Sequence, residues 1–220
     1  MLNIRIDPAL TQRNIPLALV EVSYPAPEAW RAGDFYALAE REVAALREQY
    51  AAYDRKEVFG EDPYYRFFKK FKKTYTVMQQ LESFLLKGRE FPRRSPVAEV
   101  PFLAELNTRV LSGAHDADAV QGVLELFSGT EKAPFPGIRG EEAHTYPGDV
   151  CGRDEGGIIF SMIAGADDRT CVKAPSKHVF YPVFGTPDLA PAVLDRPVEL
   201  IVQYARVLSP EAEVDIVRIS

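Results

Sequence analysis

Apolar and polar residues alternate in the opening MLNIRID and then meet Pro8, the pattern of a short strand with one wet face. IPLALVEVSY, residues 15–24, is an apolar run of strand length that stops at Pro25 and Pro27, which predicts a second, buried strand. The spacing changes over residues 28–53. There Trp30, Leu38, Val43, Leu46 and Tyr50 recur at helical intervals, with a break or restart near Gly33. GEDP then sets a turn, and Pro63 suits the first turn of a new helix. On that helix Tyr64, Phe67, Phe68, Phe71, Tyr75 and Met78 share one side, while Arg66, Lys69, Lys70 and Lys73 share the other. Gly88 is placed to cap its end.

From Val97 the pattern becomes short apolar runs punctuated by turn signals such as GAHDADAVQG, YPGDV, GRDEGG and AGADDR. HVFYPVFG, PVELIVQYARV and AEVDIVRI read as the last strands. With no internal repeat, low-complexity tract or linker, the helical part and the sheet are expected to share one core. The expected fold is therefore α+β, an N-terminal helical part packed on a β-rich part, in a single unit over residues 1–220.

A chain of 220 residues that is 46% hydrophobic can bury a sizeable core. Its N-terminus lacks the charged start and apolar run of a secretory signal, and no apolar stretch nears the roughly 20 residues of a membrane-spanning helix. A soluble protein without a membrane partner is expected. Cys151 and Cys171 read as reduced and buried rather than bridged, which points to the cytoplasm. Charge is more informative than composition. The net charge is −6, yet residues 66–94 hold nine Lys or Arg against two Glu, a local +7. Because the rings of that helix lie opposite its cations, the aromatic stripe is read as core and not as a base-stacking platform. The cationic face is either a solvated surface or a contact for phosphates. Oligomeric state leaves no mark in the sequence.

Phosphate-binding loops, dinucleotide fingerprints, nucleophile elbows and paired metal-binding cysteines are all missing. No metal and no cofactor is expected. Two looser clusters remain. FLAELNTRVLSGAHDAD, residues 102–118, reads as a strand or short helix followed by a loop with His115, Asp116 and Asp118. A histidine beside carboxylates can act as general acid or base, or help hold a cation; the alternative is that the aspartates cap the following segment and the ring bonds within the loop. SMIAGADDRTCVK, residues 161–173, reads as a hairpin tip. Its Arg169 can grip a carboxylate or phosphate with two bonds, or pair with Asp168 at the surface. His144 and His178 stand alone.

Four segments in order resemble the stand-alone relatives of the B3/B4 domain, the tRNA-binding and editing module of the phenylalanyl-tRNA synthetase β subunit. They are YYRFFKKFKKTYTVMQQLESFLLKGREFP, FLAELNTRVLSGAHDAD, GRDEGG and AGADDRTCVKAPSKHVFYPVFG. The resemblance covers about residues 64–188, leaving 1–63 as an N-terminal strand and helix part and 189–220 as C-terminal strands. It implies an α+β domain with a central pocket that hydrolyses wrongly attached amino acids, and tRNA or aminoacyl-tRNA as partner. His115 corresponds to the pocket histidine and Asp118 to its aspartate, with Asn107 and Gly165 near further pocket positions; Asp116 and Arg169 complete the expected lining. Arg66, Lys69, Lys70 and Lys73 become a candidate contact for the tRNA backbone. One departure stands out: Pro182 occupies the place of the glutamate that reads the tyrosine hydroxyl, and proline can neither accept that bond nor donate from its backbone. The resemblance thus leaves a free-standing editing hydrolase, with backbone N–H groups near Gly113 or Gly165 for the oxyanion. Its alternatives are a non-catalytic RNA- or amino-acid-binding module and a small-molecule enzyme reusing the pocket.

Overall fold

The alternation at the N-terminus forms β1 (Ile4–Ile6), and Asp7 then caps the single turn of α1 (Pro8–Thr11). The next apolar run is β2 (Leu17–Ser23), buried at every position up to Val22. Four helices come after it: α2 (Ala32–Gln49), α3 (Arg55–Phe59), α4 (Pro63–Lys70) and α5 (Thr76–Lys87). A fifth, α6 (Pro96–Thr108), opens with proline at its first turn. The strands come next: β3 (His115–Asp116), β4 (Leu124–Ser128), β5 (Pro134–Pro136), β6 (Glu142–His144), β7 (Val150–Asp154), β8 (Gly157–Ser161), β9 (Gly165–Ala166) and β10 (His178–Phe184). The chain ends in α7 (Asp195–Leu208) and β11 (Glu213–Ile219). This computed structural model describes residues 1–174, 176–187 and 189–219. The last segment of the family resemblance includes Pro175 and its boundary falls at Asp188; both lie outside the described residues.

The fold is α+β. One sheet has the order β1-β4-β7-β8-β9, with β1 parallel to β4 and the other pairs antiparallel; a second has the order β11-β2-β10-β3. β5 and β6 form a separate two-stranded ribbon. The N-terminal strands thus pair with strands from far along the chain: Ile4 lies opposite Leu124, and Leu19 opposite Pro182. β2 is buried up to Val22 and β10 from Val179 to Phe184, with α7 packed on β2.

One element differs from expectation and another decides between two readings. PVELIVQYARV is helical, not a strand: Val198, Ile201, Ala205 and Leu208 make a stripe at three- and four-residue intervals that packs on α6, α2 and β2. Its VELIV stretch mimics strand alternation only because Leu200 also turns inward. The segment from Pro96 is a helix, the second of the two forms open to residues 102–118, and it shows no amphipathic pattern because Val97, Val100, Pro101, Leu103, Ala104 and Leu106 are buried around its circumference.

The aromatic half of YYRFFKKFKKTY is core, and it fixes the helices beside the strand and loop that carry the cavity residues. Tyr64, Phe67, Phe68 and Tyr75 are buried, with Tyr64 and Tyr75 stacked at 5.5 Å. Tyr64 donates to the Phe184 carbonyl (2.7 Å) and Tyr75 to the Arg109 carbonyl (2.5 Å). These bonds tie α4 and α5 to the end of β10 and to the left-handed residue that ends α6. The helix is not continuous, however. α4 stops at Lys70, Lys72 adopts a left-handed φ of 56°, and α5 starts afresh at Thr76. Arg66, Lys69 and Lys70 therefore share α4, while Lys73 lies in the turn between the helices. Gly88 caps α5 in the left-handed conformation, as its position suggests.

Candidate functional site

A cavity of about 580 Å³ lies between α6 and the β8–β9 hairpin, and residues 111–115 form part of its wall. Loop and strand meet there because Gly113 N–H donates to the Pro182 carbonyl at 2.9 Å, which pins the loop against β10. Added bulk at Gly113 would press on Pro182: a Cβ would stand 3.2 Å from its ring, and in ordinary contact, 3.6 Å, with His115 Nε2. Most of the lining is apolar, with Phe102, Phe160, Met162, Ile163 and Phe184 among it.

His115 contributes to that wall although only 1% of it is exposed. Phe180 stacks on its ring at 4.9 Å, and Phe160 tilts against it at 5.2 Å. The hydrogen bonds fix its tautomer. Asp167 Oδ1 accepts both the Thr170 N–H (2.9 Å) and the Thr170 hydroxyl. A hydroxyl has one proton, so towards the ring Thr170 Oγ1 can only accept, and His115 Nδ1, 2.9 Å away, carries the hydrogen. Among the described residues Nε2 has no hydrogen-bond partner, and its lone pair lies on the Gly113 side. Burial disfavours the charged ring and lowers its pKa to about 3, so the imidazole is neutral at physiological pH.

Glu105, on α6, is a second cavity group, and one that the sequence pattern did not single out. Its Oε1 accepts from the Ser112 N–H (2.7 Å) and the Ser112 hydroxyl (3.0 Å). Burial raises its pKa to about 8, more than those two bonds lower it. At neutral pH it is therefore mostly the acid, and with Oε1 accepting twice the proton belongs on Oε2. The cavity thus offers an acceptor at His115 and a donor at Glu105 on an apolar background. A clue was available: Glu105 interrupts the apolar run FLAEL. Nothing comparable marked Asp167 and Thr170, which read as turn residues and are in fact buried. Glu99 also borders the cavity, but it is satisfied by the Arg94 and Ser95 amides and the Tyr36 hydroxyl.

Of the residues expected in the pocket, His115 and Gly165 line the cavity, Gly165 with a left-handed φ of 97°. The other four lie elsewhere. Asn107 faces α7, donating to the Leu103 carbonyl and to the Tyr204 hydroxyl, because the helical turn carries it away from Glu105. Asp116 caps the Asp118 amide and accepts from Ser176. Asp118 is exposed and meets His178 Nδ1 at 2.8 Å, while His178 Nε2 meets Glu21 at the same distance. Burial opposes charge on His178, but the two carboxylates outweigh it and its pKa is raised. Arg169 makes a bidentate pair with Asp154, not Asp168, and also donates to the Ala119 carbonyl. The expected oxyanion donor at Gly113 is already committed to Pro182. His115, Asp116 and Asp118 thus diverge, and no cluster of metal-ligating side chains forms among the described residues. Cys151 and Cys171 are free; Cys151 is buried, while Cys171 is half-buried at the cavity edge.

The expected RNA-contact residues are exposed but dispersed. Arg66 pairs with Glu61, Lys69 lies 4.8 Å over the Tyr65 ring, Lys70 6.0 Å over Phe67, and Lys73 5.7 Å over Tyr146. Among the described residues no helix is long and apolar enough to cross a membrane.

No family model matches the sequence. A stretch of 69 residues is 33% identical to the phenylalanine–tRNA ligase beta subunit of Mycoplasma genitalium, covering 31% of this chain and 9% of that protein. Among solved structures, an N-terminal fragment of the phenylalanyl-tRNA synthetase beta subunit from Pyrococcus horikoshii aligns over 100% of this chain and 54% of its own, at 11% identity and a TM-score of 0.48. The chain therefore spans only part of the length of either relative.

Proposed function

We propose that the protein works in the cytoplasm on the aminoacyl end of a tRNA: the cavity takes the amino acid, and a water held at His115 hydrolyses the ester. The observation that carries this reading is the bare Nε2 of a neutral, fixed imidazole at the wall of a largely apolar cavity of about 580 Å³. That volume suits an amino acid with part of a ribose. Support for the tRNA comes from the 69-residue likeness to a phenylalanine–tRNA ligase beta subunit and from the ordered segments that resemble the B3/B4 module. The cations of α4 and the turn after it are the proposed contact for the RNA backbone.

Ester hydrolysis needs an aimed water and stabilisation of the charge that develops on the carbonyl oxygen. With a pKa of about 3, His115 is a weak base, so its role is to accept a hydrogen bond from the water and direct the water's lone pair at the carbonyl. Protonated Glu105 supplies a donor for the carbonyl oxygen. The water oxygen bonds to the carbonyl carbon, the ester C–O bond breaks, and a water proton ends on the departing ribose oxygen, which gives the free amino acid and the ribose hydroxyl.

The weak base and the committed Gly113 amide favour a second reading, in which the same cavity binds the aminoacyl group without cleaving it. Purified protein incubated with a panel of mischarged tRNAs separates the two. Under the hydrolytic reading some ester is lost faster than in buffer, and His115→Ala slows that loss at least tenfold. A rate untouched by the substitution removes His115 from the mechanism. Thermal stabilisation by aminoacyl-adenosine analogues with no ester loss selects the binding reading.

A further inference from the structure

The break after α4 changes what this part of the molecule can bind. In a continuous helix the cations and rings would point in opposite directions. With Lys72 left-handed, a groove of about 520 Å³ instead gathers Arg13, Lys70, Lys72, Phe71, Tyr146 and Gly148. None of its lining residues belongs to the cavity at His115. Among the described residues no Asp or Glu lines it, in a chain whose net charge is −6.

Each part is arranged to receive something. Arg13 is half-buried and held by its Nη1, which donates to Ser128 Oγ (2.6 Å) and to the Gly148 carbonyl (2.8 Å). Among the described residues its Nη2 and Nε make no further hydrogen bond, so a fixed guanidinium edge remains. Tyr146 sits on a turn closed by Asp149 N–H to the Tyr146 carbonyl and Gly148 N–H to the Gly129 carbonyl, and Phe71 packs edge-on against its ring at 5.8 Å. Tyr146 itself lines the groove and is only half-buried, so part of its ring is reachable from solvent, and the exposed Lys73 places its ammonium 5.7 Å over that ring.

We infer that this groove binds one or two nucleotides of a single-stranded polynucleotide, a base stacked on Tyr146 and the adjoining phosphates held by Arg13, Lys70 and Lys72. Cations alone would equally suit an acidic peptide; the solvent-reachable ring among them selects a base, because every base has a face to stack. The inference depends on the proposed function only for the choice of RNA over DNA.

The test is fluorescence anisotropy of the full chain with a short labelled oligouridylate across a salt series. Tyr146→Ala weakens binding about tenfold without changing the salt slope, while Tyr146→Phe binds as wild type, which separates ring loss from misfolding. Lys70→Gln with Lys72→Gln lowers the slope of log affinity against log salt by about 1.4. Unchanged binding in Tyr146→Ala, equal competition by polyglutamate, or no binding at low salt overturns the inference. Equal affinity for the deoxy oligomer overturns the RNA assignment. Aminoacyl-adenosine thermal shifts report the cavity separately, so a silent cavity with a binding groove sinks the proposed function alone, and the converse sinks the groove alone.

Discussion

The cavity at His115 and the groove at Tyr146 are built on opposite principles. In the cavity the polar groups are sealed in and each is held by a neighbour: Asp167 holds Thr170, Thr170 holds His115, and Ser112 holds Glu105. In the groove Lys70 and Lys72 are exposed, and only the half-buried Arg13 is fixed. Burial shifts pKa values in the first, whereas solvent and salt govern the second. A site can thus be specific through one bare atom in a dry wall, or general through several loose charges beside a ring.

Among single substitutions at neutral pH, the largest effect expected belongs to a residue outside both regions. Arg169→Ala leaves the Asp154 carboxylate buried without its bidentate partner and destabilises the fold by about 3 kcal/mol. Urea unfolding measures this, and if Arg169 is structural the folded fraction keeps its full deacylation rate and RNA affinity. A selective loss of activity without loss of stability would return Arg169 to the site. Next, Thr170→Val removes the anchor of the ring; we expect about 1–2 kcal/mol of destabilisation and a deacylation rate lowered towards that of His115→Ala, with oligouridylate binding unchanged.

Much of this was legible in the sequence and some was not, for physical reasons. The aromatic stripe of α4 was legible because burial of one side imposes a period, and β2 because an unbroken apolar run of strand length stops at prolines. The two helices at Pro96 and Asp195 were obscured because burial on several sides erases the contrast between faces. His115 could be picked out by residue type, but its partners could not. Asp167 and Thr170 look like turn residues, and their inward orientation depends on a pairing between His115 and Cys171 across distant sequence. Asn107 and Glu105 are two residues apart on one helix, so choosing the wrong one amounts to misjudging which face meets the cavity.

Titration separates the buried site from the exposed one further. Because His115 has a folded pKa of about 3, below its unfolded value near 6.5, the unfolded chain binds a proton that the folded chain refuses. Stability is therefore lost as pH falls from about 6.5 towards 3, at up to about 1.4 kcal/mol per pH unit. His115→Gln should flatten that limb. Glu105 acts in the opposite direction: its pKa of about 8 lies above the unfolded value, so stability is lost as pH rises towards 8, and Glu105→Gln should raise the melting temperature at pH 8 but not at pH 5. The smallest effect is at His178. Its raised pKa stabilises the fold below the ordinary histidine value, and the contribution, about 0.5 kcal/mol, is lost as pH rises through the folded value. A melting series of His178→Gln against wild type checks it.

The decisive experiment is ¹⁵N NMR of the His115 imidazole, read before and after addition of an aminoacyl-adenosine analogue. We expect a protonated Nδ1 and an unprotonated Nε2 in the free protein, with the analogue shifting Nε2 and leaving Nδ1 in place. A proton on Nε2, or a ring that does not respond to any analogue that binds, would rule out the water-aiming role of His115.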